Sequence, residues 1–209
     1  MATDHVRSVA EERLDDGRKL VQAARAIADG PHQAEAEAEA LLRQSLAAFR
    51  GAMDWFEAAG MDVEFEGAHS ELHEAGRLVR ERFGCLLDQQ GGGYFITCPA
   101  DLAHVRAGFS PAFVARRIEC TVCGEEVAAC PHIKGRTYGG VRCAHRLMEL
   151  EVQEVSIVPY PAQPDARILK QSVDLEELAE SLGAGFVPGT PVSCDKCLVP
   201  CGGVRRPFG

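Results

Sequence analysis

The sequence predicts an α+β protein, with an N-terminal helical hairpin or bundle followed by a small antiparallel β unit. Apolar residues of the first 83 positions recur at helical spacing, whereas later ones alternate or fall in short runs bounded by glycine. Most of the nine cysteines lie between position 120 and the end. We therefore predict a helical region (1–83), a β-rich core (84–172) with a metal-binding insertion (120–145), and a tail with a short helix and clustered cysteines (173–209).

Three helices are predicted before position 84. Residues 4–29 form the first, which we expect to end at Gly30-Pro31 because proline cannot continue a helix. The second helix carries one apolar stripe, Leu42, Leu46, Phe49, Met53 and Phe56. The segment 61–67 is predicted to be a connector. The third helix ends at Gly84 and has the stripe Leu72, Ala75, Val79 and Phe83.

Short strands are predicted after position 84. Residues 85–98 indicate a hairpin around the glycines at 91–93, since two apolar runs flank a flexible turn. The segments 113–120, 150–158 and 166–173 are rich in β-forming residues, which favours further strands.

Composition and charge exclude several classes of protein. The net charge of −9 makes nucleic acid an unlikely general partner, and no apolar run is long enough to cross a membrane. The first 30 residues have no apolar signal-peptide core. Paired cysteines without such a signal favour reduced, metal-bound thiolates over disulfides. We therefore expect a cytoplasmic protein.

The first cysteine cluster predicts a zinc site. Cys120 and Cys123 have the Cys-x2-Cys spacing that lets two thiolates face one ion. Cys130, His132 and Cys143 follow. We expect Cys120, Cys123 and Cys143 to bind zinc, with a fourth ligand from His132 or Cys130. Only one of the two is expected to bind, because both members of a Cys-x-His pair rarely reach one ion, and His132 is preferred because a turn-rich segment follows it.

The second cluster predicts another metal site in the tail. Cys194, Cys197 and Cys201 place three thiols within eight residues. The fourth ligand stays open among Cys98, His104, His145 and whichever of Cys130 and His132 is unused. Zinc is the first choice for this site, and an iron–sulfur cluster is the alternative. The sequence thus predicts about two zinc ions per chain.

A histidine pair lies on the third predicted helix. His69 and His73 have the i, i+4 spacing of two metal ligands on one helix face. The flanking residues lack the His-Glu-x-x-His pattern, and no third ligand is evident from the sequence. We therefore interpret them as surface or boundary histidines.

Two segments resemble the tailed-phage prohead (capsid maturation) serine proteases. They are HVRAGFSPAF at 104–113 and EVSIVPYPAQPDARI at 154–168, with the cysteine-rich insertion between them. The resemblance covers about residues 94–170. It implies a small β-barrel core in which Ser110 is the nucleophile, and His104 is the nearest preceding histidine. In the family the catalytic histidine lies on a strand well before the serine, whereas the region before Ser110 is largely helical here.

Three functions follow from these observations. The first is a zinc-stabilised, non-enzymatic assembly or adaptor protein, whose N-terminal helices bind a protein partner or self-associate. The alternative is a serine protease of the prohead type that uses Ser110. The third is a zinc-ribbon nucleic-acid binder, with the basic residues Lys134, Arg136, Arg142 and Arg146.

Overall fold

The computed structural model describes residues 2–28 and 34–205, and it confirms the α+β class. The predicted end of the first helix at Gly30-Pro31 lies outside these residues. The chain forms two compact units, which we call the helical unit (1–108 with 158–209) and the ribbon unit (109–157). This division differs from the predicted boundaries at 83 and 172, because the segment after the ribbon packs with the N-terminal helices.

The helices and strands have the following bounds. The helices are α1 (Ala2–Ala28), α2 (Glu35–Ala58), α3 (Asp62–Phe83), α4 (Pro99–Leu102) and α5 (Leu175–Leu182). The strands are β1 (Asp88–Gln90), β2 (Gly93–Ile96), β3 (Gly108–Cys120), β4 (Thr137–Tyr138), β5 (Val141–Arg142), β6 (His145–Val158) and β7 (Gln171–Val173).

The core of the helical unit is the apolar stripe of α2 against α1 and α3. Every predicted stripe residue of α2 is buried, as are Leu72, Ala75 and Val79 of α3. Gly17 of α1 lies so close to α2 that an added Cβ would be 2.5 Å from the Phe49 ring. The absence of a side chain therefore sets the distance between these two helices.

The helix α3 begins earlier than predicted. It starts at Asp62, so residues 62–67 of the predicted connector 61–67 are helical. Asp62 and Glu64 lie in the first turn, where negative charge stabilises the N-terminal end of the helix dipole. Phe65 is buried in the core, whereas Val63 faces solvent. Burial of Phe65 explains why the helix extends over residues that the sequence pattern left unassigned.

The predicted hairpin and the last strand form one small sheet. The order is β1-β2-β7, and both pairs are antiparallel. Gly91 and Gly92 turn the hairpin with positive φ angles, which glycine adopts without steric cost. Asp174 caps α5, because its Oδ1 accepts hydrogen bonds from the backbone N–H groups of Glu176 and Glu177.

The ribbon unit consists of the long pair β3-β6 and the short pair β4-β5. Cys120 and Cys143 are its two buried residues within 109–157, all of which the structure describes. A sheet of two strands is marginally stable by itself in water. The ribbon unit therefore lacks the apolar core that would explain its fold.

A buried ionic cluster joins α2 to the chain on either side of the ribbon unit. Asp54 and Glu57 of α2 face Arg106 and Arg167. Arg106 Nη2 lies 2.8 Å from Asp54 Oδ1 and 2.6 Å from Glu57 Oε2. Arg167 Nη2 also lies 2.6 Å from Glu57 Oε2, and its Nη1 donates to the Pro159 carbonyl at 2.7 Å. All four ionic side chains are almost fully buried.

Candidate metal centres

Two groups of side chains could each hold a metal ion. Their ligand atoms all lie within 4.8 Å of one another in each group. The histidine group, in the helical unit, is His69, His73, His104 and Cys201. The knuckle group, in the ribbon unit, is Cys120, Cys123, Cys130 and His132.

Three elements build the histidine group. His69 and His73 lie one turn apart on α3, His104 follows α4, and Cys201 comes from the tail. The Nε2 atom of His73 lies 3.0 Å from the Nε2 atoms of both His69 and His104. The Sγ atom of Cys201 lies 3.0 Å from His104 Nε2 and 3.6 Å from His69 Nε2.

These spacings match the edges of a coordination tetrahedron. Normal zinc bond lengths give about 3.3 Å between two nitrogen ligands and about 3.6 Å between nitrogen and sulfur. The third histidine pair, His69 and His104, is separated by 3.5 Å between its Nε2 atoms. The ligand set therefore needs little rearrangement to bind one ion.

Neighbouring groups fix the orientation of two rings. His104 Nδ1 lies 3.0 Å from the Asp101 carbonyl, which requires the Nδ1–H tautomer. His69 Nδ1 lies 3.5 Å from Glu66 Oε2. With Nδ1 protonated, Nε2 carries a lone pair that points into the group. Such outer hydrogen bonds orient histidine ligands in metal sites.

The surroundings also favour the neutral form of two imidazoles, those of His73 and His69. Burial, followed by the neighbouring His69 and His104, lowers the pKa of His73 to about 4. Burial also lowers the pKa of His69. A neutral imidazole is the form that binds a metal ion, so the group is ready for coordination at neutral pH.

The interpretation of two of these histidines from the sequence was wrong. We interpreted His69 and His73 as surface or boundary histidines because no third ligand was evident, but His69 is buried and two further ligands are present. His104 lies 31 residues from His73, and Cys201 lies 97 residues from His104. The i, i+4 spacing was the available signal, whereas the other two ligands are brought in by the fold.

Acid should destabilise the metal-free protein through His73. Its pKa is about 4 when folded and 6.5 in the reference state, so the unfolded chain takes up the proton first. The stabilising contribution is complete above pH 6.5 and falls as the pH drops towards about 4. Urea unfolding of chelator-treated protein should show this loss, and His73→Asn should reduce it. His5→Asn, at an exposed position of α1, is the control; equal acid sensitivity in all three proteins would contradict the assignment.

The knuckle group lies at the end of β3. Cys123 Sγ is 3.5 Å from Cys130 Sγ, and His132 Nδ1 is 3.3 Å from Cys130 Sγ and 3.8 Å from Cys120 Sγ. A tetrahedral zinc site has about 3.8 Å between two sulfur ligands. Although burial opposes it, the backbone N–H groups of Cys123 and Val122 lower the pKa of Cys120 to about 6. This thiol is therefore close to its metal-binding thiolate form at neutral pH.

A fifth candidate ligand, Cys143, lies beside the four members of the knuckle group. Cys143 Sγ lies 3.7 Å from Cys120 Sγ, as the sequence led us to expect. We had argued that geometry allows only one of Cys130 and His132 to bind the ion, but the ligand atoms of both lie within the group. The choice of the fourth ligand stays open among these residues.

The structure divides the three tail cysteines. Cys201 joins the histidines, with His104, one of the candidates for a fourth tail ligand, as its neighbour. Cys194 lies instead beside Cys85, to whose carbonyl its N–H donates at 2.9 Å. His145 begins β6 in the ribbon unit. Cys201 is thus separated from Cys194, contrary to the single site that the spacing of the tail cysteines indicated.

The candidate catalytic residues also have definite positions. Ser110 is half-buried on β3. Both ring nitrogens of His104 have partners inside the histidine group and its surroundings. The Nδ1–H of His104 donates to the Asp101 carbonyl, and its Nε2 lone pair points into the histidine group.

No family model, curated protein or solved structure matches this chain. Among the residues that the structure describes, no helix is both long and apolar enough to cross a membrane.

Proposed function

We propose that this protein is a zinc-stabilised, non-enzymatic assembly protein that joins to further copies of itself through the β3-β6 ribbon. Nitrogen and sulfur ligands at tetrahedral spacing favour zinc. Each group offers four protein ligands, so no position is reserved for water or substrate, which is typical of structural sites. In this proposal, the metal ions hold the fold and the ribbon provides the contact.

The observation that carries the proposal is the exposed apolar surface of the ribbon. Nine of its large apolar side chains are between 40% and 60% exposed, among them Phe109, Phe113, Leu150, Val152, Val155 and Ile157. Patches of this kind mark protein interaction sites. In α1–α3, by contrast, the described large apolar side chains are buried or half-buried, and Val63 is the exposed exception. We therefore assign self-association to the ribbon in preference to the helices.

Charge complementarity favours a second copy as the partner. Each strand of a two-stranded sheet has one unpaired edge that can accept another strand. The strand β3 carries Arg116 and Arg117, which pair within one chain with Glu151 and Glu119, whereas β6 carries the further carboxylates Glu149 and Glu154. The basic strand of one copy can thus lie beside the acidic strand of the next. Such head-to-tail pairing repeats, and it produces rings or filaments larger than a dimer.

We expect the purified protein to form assemblies larger than a dimer. Val155→Lys, or Val152→Lys, should convert it to monomers, because a lysine on an unpaired strand opposes edge pairing. Multi-angle light scattering and analytical ultracentrifugation would measure the change. Val63→Lys is the matched control, since it introduces the same charge at an exposed valine of α3. A monomeric wild type, or assembly that Val155→Lys leaves unchanged, would refute the proposal.

The other two hypotheses stay predictions. A prohead-type protease would need a base for Ser110, and the contacts of His104 give that role no support. The resemblance to prohead proteases likewise stays a prediction. Nucleic-acid binding would use the exposed basic residues near the knuckle, against a net charge of −9.

A further inference from the structure

Four cysteines outside both metal groups come together in the helical unit. They are Cys85, Cys98, Cys194 and Cys197. Cys85 and Cys194 lie on neighbouring backbone segments joined by the 2.9 Å hydrogen bond described above. Cys85, Cys98 and Cys194 line one cavity of about 210 Å³. All nine cysteines of the chain are free thiols.

Cys197 faces the same region from the tail. A Cβ atom added at Gly76 would lie 2.8 Å from the Cys197 Sγ atom and 3.4 Å from the Ala100 Cβ atom. Ala100 is two residues after Cys98, which is the N-cap of α4. The glycine on α3 thus leaves room for the Cys197 sulfur beside the start of α4.

The four thiols are close enough to influence one another's ionisation. Burial, followed by Cys98, Cys194 and Cys85, raises the pKa of Cys197 to about 12. After burial, Cys85 and Cys194 also raise the pKa of Cys98. Four mutually repelling thiolates need a cation between them to remain ionised together.

Backbone N–H groups near two of these sulfurs oppose the effect of burial on the pKa of each thiol. Those of Asp101 and Ala100 at the start of α4 interact with Cys98, and that of Lys196 interacts with Cys194. The last contact is typical of a Cys-x2-Cys turn, in which the backbone stabilises the thiolate that binds the ion. Cys194 and Cys197 have this spacing, and the β1-β2 hairpin brings Cys85 and Cys98 back to the same place.

We propose that Cys85, Cys98, Cys194 and Cys197 form a third metal site, which binds one zinc ion through four thiolates. The site goes beyond the assembly function, because it fastens the tail to the hairpin and to α3 whether or not the ribbon self-associates. Four sulfur ligands complete a tetrahedral zinc site, and binding has to draw these sulfurs closer, because no three of them lie within 4.8 Å of one another as the ligand atoms of the two groups above do. Together with the two groups above, this site raises the expected content from two zinc ions per chain to about three.

The test combines metal content with thiol labelling of the full-length protein. Elemental analysis should find about three zinc ions per chain in protein that has not met a chelator. Alkylation followed by peptide mass spectrometry should show these four cysteines protected together and released together when zinc is removed. The separate labelling of Cys120 and Cys201 reports on the other two groups, so failure of this site is distinguishable from failure of those.

A pair of glycine variants on α3 tests the geometry without removing a ligand. Gly76→Ala places a methyl group against the Cys197 sulfur, whereas Gly67→Ala meets open space. If zinc fixes the position of that sulfur, Gly76→Ala should lower the affinity for one of the three zinc ions about tenfold or more, as measured by competition with a chelator. Gly67→Ala should bind zinc as the wild type does. If the Cys197 thiol is not a ligand, it would rotate away from the new methyl group of Gly76→Ala without changing zinc binding.

Three results would overturn the proposal. The first is alkylation of the four cysteines at the same rate with and without zinc. The second is equal zinc affinity in Gly76→Ala and Gly67→Ala. The third is the presence of bound iron whose visible absorbance disappears when Cys98 or Cys197 is replaced, which would assign the site to an iron–sulfur cluster.

Discussion

Replacing Cys120 with serine should unfold the ribbon unit while the helical unit keeps its structure. Cys120 is one of the two buried residues of 109–157, and its sulfur contacts both His132 and Cys143. Structural zinc contributes on the order of 10 kcal/mol of binding free energy, which becomes folding free energy where no apolar core exists. This is the largest effect that we expect from any single substitution in the chain.

Hydrogen exchange and limited proteolysis would locate the change. In Cys120→Ser, the amides of β3 and β6 should lose protection and residues 109–157 should be cleaved, while the helical circular dichroism signal is retained. Glu125→Gln changes an exposed side chain of the same turn and should behave as wild type. Retained protection of β3 in Cys120→Ser would mean that the knuckle metal is dispensable for the ribbon.

The helices could be predicted because their information is local. The stripe from Leu42 to Phe56 repeats every three or four residues, and each member is buried as the pattern requires. The start of α3 was missed because Phe65 is held by tertiary packing, which no local pattern records. The glycine turn at 91–92 could be predicted for the same reason, since its conformation depends on neighbouring residues alone.

The metal centres also differ in how far apart their ligands lie in the sequence. A metal site at the knuckle was predicted because its ligands lie within one segment, although the predicted set contained Cys143 and only one of Cys130 and His132. The histidine group joins α3 to the tail, and its ligands are distant in sequence. The spacing of Cys194, Cys197 and Cys201 suggested one site, but a turn after Cys197 directs Cys201 to the histidines instead. Sequence spacing identifies a ligand type more reliably than it identifies the partners of that ligand.

Replacing Arg106 with methionine should destabilise the helical unit by about 3–5 kcal/mol, because it removes one partner from a buried ionic cluster. Arg106 is 1% exposed and pairs with both Asp54 and Glu57. Without it, Asp54 keeps Arg167, whose Nε lies 3.6 Å away, as a more distant partner. The control is Arg116→Met, which breaks the exposed pair with Glu151 and should cost about 0–1 kcal/mol.

The pH dependence of the Arg106→Met variant distinguishes a charge effect from a packing effect. Burial raises the pKa of Asp54, and Arg106 is the largest influence that lowers it. Removing Arg106 therefore raises the folded-state pKa of Asp54 further, so the folded variant binds a proton that the unfolded chain releases. A group with a raised pKa stabilises the fold below that pKa and loses this contribution as the pH rises through it. The deficit of the variant should accordingly shrink as the pH falls, as measured by urea unfolding beside wild type. A deficit that is independent of pH would assign the loss to the packing of Arg106 over the Phe65 ring, 5.3 Å away, in place of its charge.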